Sequence, residues 1–141
     1  MALIQGKITR EERDRQKRQN ITDADARKVA ERFRSASVRH RVIMGDAPGG
    51  ISKTSKIIYQ EATHAILVCR EDGQKDIETW KSFFKELKVD LIAIVISKLD
   101  GDEEVTSNDL IHASLVKLER EPKNTPAIAA LASLLRTKLA V

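Results

Sequence analysis

The chain has 141 residues, a formal net charge of +4 at pH 7, 41% apolar and 33% charged residues. It is one domain by length, with enough apolar side chains for a sizeable core, and no apolar run approaches the roughly 18 residues of a membrane span. The opening Met1-Ala2-Leu3-Ile4 run is too short for a secretion signal, and the lone Cys69 allows no internal disulfide, so a cytoplasmic location is expected.

The charge is uneven. Residues 1–41 carry 12 Lys/Arg against 6 Asp/Glu, and residues 42–141 carry 13 against 15. A basic arm on a near-neutral body can serve nucleic acid or an acidic partner, or can simply be a solvated helix. The organisation expected is a basic helical arm over 1–36 and an α/β domain over 37–141. Residues 10–20 contain no apolar side chain, so they can bury no helix face and are expected to be exposed or disordered.

Thr22 reads as a helix N-cap, followed by an apolar stripe of Ala26, Val29, Ala30 and Phe33, with Ser35-Ala36-Ser37 closing the helix. Arg39 to Asp46 is expected to be the first strand, because Val42, Ile43 and Met44 are consecutive, as in a strand covered on both faces. A loop through Gly49 and Gly50 leads to a helix over 54–61. Thr63 to Cys69 is the second expected strand, with a core of Ala65-Ile66-Leu67-Val68 and Cys69 as a buried, inert thiol. After a turn at Glu71-Asp72-Gly73, residues 74–87 give the clearest helix, with Ile77, Trp80, Phe84 and Leu87 in one stripe and Trp80 in the core. Val89 to Ser97 is the third strand. An acidic loop over 100–108, a helical turn and a strand over 113–118 follow. Thr125-Pro126 starts a final helix to about Leu139 that buries Ile128, Leu131 and Leu135. Apolar strands alternating with amphipathic helices predict a three-layer α/β sandwich with a mostly parallel sheet of three to four strands and right-handed crossovers.

In such a sheet ligands collect beyond the carboxyl ends of the strands. Asp46, Cys69-Arg70 and Ser97-Lys98-Leu99-Asp100 would all stand there. Asp46-Ala47-Pro48-Gly49 fits the D-x-x-G pattern in which a strand-end carboxylate holds Mg²⁺ and a backbone amide meets a phosphate. Asp46 is therefore the candidate metal ligand. It can equally cap a turn that Gly49 and Gly50 permit. Ser97-Lys98-Leu99-Asp100 resembles the [N/T]-K-x-D element of GTPases, whose Asp accepts two hydrogen bonds from the guanine edge and whose Lys packs over the base. An ordinary strand exit with exposed charges gives the same residues. The expected nucleotide site is thus Asp46, Gly49, Gly50, Ser97, Lys98 and Asp100, with a nucleotide and Mg²⁺ as its cofactors.

The phosphate-cradling P-loop, G-x-x-x-x-G-K-[S/T], is missing. Gly6-Lys7-Ile8-Thr9 holds the Gly-Lys pair, but Met1 stands where the leading Gly belongs. No catalytic constellation is complete, so the reading leans away from an enzyme. His40, His64 and His112 lie at no metal-ligand spacing, and Thr63 with His64 reads as a buried, mutually satisfied pair.

The strings Asp46-Ala47-Pro48-Gly49-Gly50-Ile51-Ser52, Ala62-Thr63-His64-Ala65-Ile66-Leu67-Val68, Trp80, Leu91-Ile92-Ala93 and Leu118-Glu119-Arg120 resemble the P-loop NTPase-like domain fused to CRISPR-associated ring nucleases of type III systems. The resemblance covers residues 5–138 and lacks both the Walker A loop and the nuclease half. The D-A-P-G-G and S-K-L-D-G strings are also similar to the wider MinD-like and signal-recognition GTPases. The family likeness implies a degenerate nucleotide-binding or regulatory domain with an accessory role in antiviral defence, taking a nucleotide or a cyclic oligonucleotide. The alternative is a non-catalytic module that docks on RNA or a partner protein through its basic N-terminal arm.

Overall fold

A computed structural model describes residues 21–45, 50–118 and 124–141. Among these, the chain forms helix α1 (Asp23–Ser37), helix α2 (Lys53–Tyr59), strand β1 (His64–Arg70), a short 3₁₀ helix (Glu71–Asp76), helix α3 (Ile77–Leu87), strands β2 (Asp90–Lys98), β3 (Glu104–Ser107) and β4 (Ile111–Val116), and helix α4 (Pro126–Leu139). The four strands make one mixed sheet in the order β1-β2-β4-β3. β1 and β2 are parallel, as are β2 and β4, while β3 returns antiparallel to β4. The architecture is α/β with helices on both sheet faces, as the alternating pattern predicts.

Three corrections follow. Residues 39–45 form no strand. Val42 is 46% and Met44 86% exposed, so the apolar run is not covered on both faces as a buried strand would be. The segment instead runs past α1, where Gly45 lies so close to the Phe33 ring that a Cβ would collide with it. The acidic loop contains β3, and residues 111 and 112, expected in a helical turn, already belong to β4. In the second expected strand, Ile66 and Val68 are not core: they are 37% and 58% exposed on an edge strand.

Local chemistry explains the helix ends. Thr22 accepts from the Asp25 backbone N–H, and the Asp25 carboxylate accepts in turn from the Thr22 backbone and hydroxyl, a reciprocal capping box. Ser52 and Ser55 do the same for α2. Thr125 caps α4 ahead of Pro126 at the first position. α3 ends on Lys88 in the left-handed region.

Two apolar layers sandwich the sheet. On one side Ala93, Val95, Ile111, Ala113 and Leu115 meet Leu131 of α4, with Ile128, Leu134 and Leu135 around them. On the other, Phe83, Phe84 and Val89 pack with Tyr59, Trp80, Leu87, Ala65 and Leu91. β2 feeds both layers, and a shift in its pairing decides which residue goes where: Ala65 faces Leu91, but Ile66 faces Ala93, leaving Ile92 as an extra residue. α1 joins through α2. Its Ala26 and Ala30 are buried, and Arg34 pairs with Glu61 and Asp23 with Lys53.

Candidate nucleotide site at the carboxyl rim

Parallel pairing sends the ends of β1, β2 and β4 to one edge of the sheet, so Arg70, Ser97-Lys98 and Val116 share a rim. Arg70 stands opposite Ser97 in the β1–β2 register, and Ser97 opposite Leu115 on its other side. Sequence reasoning placed Arg70 at this edge but not among the binding residues; the signal was its position as the last residue of an apolar strand. The Arg70 guanidinium pairs with Asp72 at 3.0 Å, with both side chains largely exposed, so the pair adds little stability and the guanidinium remains accessible.

Beyond Lys98 the chain leaves the sheet through Leu99, 85% exposed, and Asp100. Gly101 follows at φ 100°, a conformation that favours glycine, and turns the loop back. The loop then crosses the end of β4, where the Glu103 carboxylate accepts from the Val116 backbone N–H at 3.0 Å. Lys117, at φ 51°, donates its backbone N–H to the Lys98 carbonyl at 2.9 Å. Nothing in the sequence pattern singled out Glu103 or Lys117, because the Glu103 carboxylate and the Lys117 backbone N–H each meet a distant backbone group whose proximity only the fold creates. The rim is therefore pinned on the β4 side of Lys98. The side chains of Lys98 and Asp100 make no hydrogen bond or ion pair among the described residues, so both are open to a ligand.

The other expected site residues stand differently. Asp46 and Gly49 lie outside the described residues. Gly50 has φ 132° and open space around it, two residues before the α2 cap. The strand expected over Arg39 to Asp46, which would have carried Asp46 to this rim, is absent from the sheet among the described residues, whose order is β1-β2-β4-β3. Thr63 and His64 are hydrogen-bonded, Oγ1 to Nδ1 at 2.8 Å, but on the surface rather than buried. Cys69 is half-buried, and burial pushes its thiol pKa up, which disfavours the reactive thiolate. Leu118 is exposed, and Glu119 and Arg120 lie outside the described residues, as do Gly6-Lys7-Ile8-Thr9 and the charged run 10–20.

Among the described residues no three His, Cys, Asp or Glu side chains gather at metal-binding distance, and no helix is long and apolar enough to cross a membrane. A shallow depression on α4, lined in part by Ala132, Ser133, Arg136 and Ala140, belongs to the opposite edge. There Lys138 of α4 donates to the carbonyl of Asp109, just before β4 begins. Comparison with known proteins finds no family model, no curated protein and no solved structure that matches the chain.

Proposed function

We propose that this chain is a non-hydrolysing nucleotide-binding domain of regulatory or accessory type, with a role in CRISPR-linked antiviral defence. The observation that carries the reading is the parallel register that sets Ser97-Lys98-Leu99-Asp100 beside Arg70 at the carboxyl rim. In this reading the Arg70 and Lys98 cations meet phosphate or stack on a base, and the free Asp100 carboxylate accepts from the N–H groups of a purine edge. In the same reading Gly49 and Gly50 would supply backbone amides and Asp46 the carboxylate for Mg²⁺. Without a P-loop the β- and γ-phosphates lack their cradle, so binding without efficient hydrolysis is the expected outcome.

The test is a thermal-shift titration with ATP, GTP and cyclic oligoadenylate, with and without Mg²⁺. A ligand at ten times its Kd stabilises the fold by about 1.4 kcal/mol, which raises Tm by about 3–6 °C for a domain of this size. Lys98→Ala with Asp100→Ala removes the shift. The reading fails if no nucleotide moves Tm at millimolar concentration, or if the double variant responds like the parent.

A further inference from the structure

We propose that the outward face of α1 is a docking stripe for the phosphate backbone of double-helical nucleic acid, independent of sequence and of sugar. This goes beyond the nucleotide reading and does not depend on it. α1 buries Ala26 and Ala30, and its opposite side carries Lys28, Arg32 and Ser35 at i, i+4 and i+7, about 10 Å along the axis. The Arg39 N–H bonds to the Ala36 carbonyl at 2.9 Å, which continues the helical turn and adds a third cation beyond the helix end. Arg27 stands next to Lys28. All four cationic residues are exposed.

The nearby acids are largely committed elsewhere. Asp23 pairs with Lys53, Glu61 pairs with Arg34, and Asp25 is held in the capping box, with Lys28 adding a weaker electrostatic pull on it. By contrast, the side chains of Arg27, Lys28, Arg32 and Arg39 make no hydrogen bond or ion pair among the described residues. Glu31 is the one acid left on the exposed side of the helix's second half, against those four cations. The helix dipole accounts for a cation in the last turn, such as Arg34, but its effect fades before Arg32 and Lys28.

The composition of the stripe selects the partner. A protein interface is built round buried aromatic or aliphatic anchors; among the described residues the exposed large apolar side chains nearby, Ile21, Val38, Val42 and Met44, all lie outside α1, and none is on the helix itself. A single-stranded nucleic acid needs aromatic platforms for its bases. Tyr59, Trp80, Phe83 and Phe84 are packed against one another in the core, and Phe33 lies against Gly45. A duplex hides its bases and offers a regular array of phosphates, for which cations alone suffice. Telling RNA from DNA requires contacts to the 2′-hydroxyl, and the stripe offers little besides cations.

Fluorescence anisotropy of the full chain with 20-base-pair DNA and RNA duplexes tests this. Four phosphate contacts give a slope of log K against log salt of about −3.6, and equal affinity for the two duplexes is expected. Lys28→Glu with Arg32→Glu weakens binding at least tenfold and roughly halves the slope. Arg39→Ala, outside the helix, weakens it several-fold. Lys75→Glu with Lys85→Glu, on the exposed surface of the 3₁₀ helix and α3, leaves it unchanged. Absence of binding at 50 mM salt, tighter binding of the matching single strand, or full binding by the Lys28→Glu/Arg32→Glu variant overturns the proposal.

Discussion

The two faces of the sheet are filled in opposite ways. Under α4 the layer is aliphatic and comes mostly from strands: Ala93 and Val95 of β2, and Ile111, Ala113 and Leu115 of β4, each two residues from the next. The small Ala93 and Ala113 give α4 room to come close. On the far face most of the volume comes from helices, with the rings of Tyr59, Trp80, Phe83 and Phe84 at centroid separations of 5.7–6.0 Å. The aliphatic side fixes the strands to one another and to α4, and the aromatic side fixes α2 to α3. β2 is covered from both directions, with Ile92 to Val95 all buried. β1 is covered from one only, and Ile66 and Val68 face outward.

Substitutions can break that contrast. Phe84→Ala removes the ring that stacks on Trp80 at 28° and meets Tyr59 edge-on, so a loss of about 3–5 kcal/mol is expected from urea unfolding. The Trp80 near-ultraviolet circular dichroism should collapse with it. Leu131→Ala on the aliphatic side should cost less, about 2–3 kcal/mol, because Leu131 keeps 9% of its surface and α4 can settle toward the alanines. A larger loss for Leu131→Ala than for Phe84→Ala would reverse the ranking of the two layers.

The smallest expected effect lies at α1, outside both layers. The Thr22 hydroxyl and backbone N–H hold the Asp25 carboxyl below its ordinary pKa. A lowered folded-state pKa means that the stabilisation is present above the unfolded-state value and disappears as pH falls through the folded one. Amide-exchange protection across Asp23–Ala30, taken relative to the intrinsic rate at each pH, should therefore fall on acidification. Asp25→Asn should exchange faster than the parent at neutral pH and match it in acid. A parent whose exchange protection in α1 ignores pH would remove Asp25 from the cap.

Much of the helical frame was legible because its signals are local. The Thr22 cap, the Thr125-Pro126 start and the stripe through Trp80 and Phe84 each lie within one segment. Features that depend on a distant partner were not legible. β3 reads Glu-Val-Thr-Ser, with one apolar residue in four, and becomes a strand only by pairing with β4. Val42 to Met44 carries the opposite message, an apolar run with no sheet neighbour among the described residues. At the rim, the shared edge of Arg70 and Ser97 to Asp100 followed from parallel strands, whereas the bond from Val116 to Glu103 depends on how a loop folds over a third strand.

The extra residue at Ile92 shifts the phase of β2. A regular strand would send Leu91, Ala93, Val95 and Ser97 to the same side; the slip diverts the bulky Leu91 to the rings and the small Ala93 to α4. Deleting Ile92 would exchange the destinations of all side chains on one side of the gap. If the part after the gap yields, alanine sits where the rings need bulk and Ser97 and Lys98 turn over with it; if the part before it yields, Leu91 sits where α4 needs space. One surplus residue, far from the rim, thereby keeps the ring layer and the rim in step.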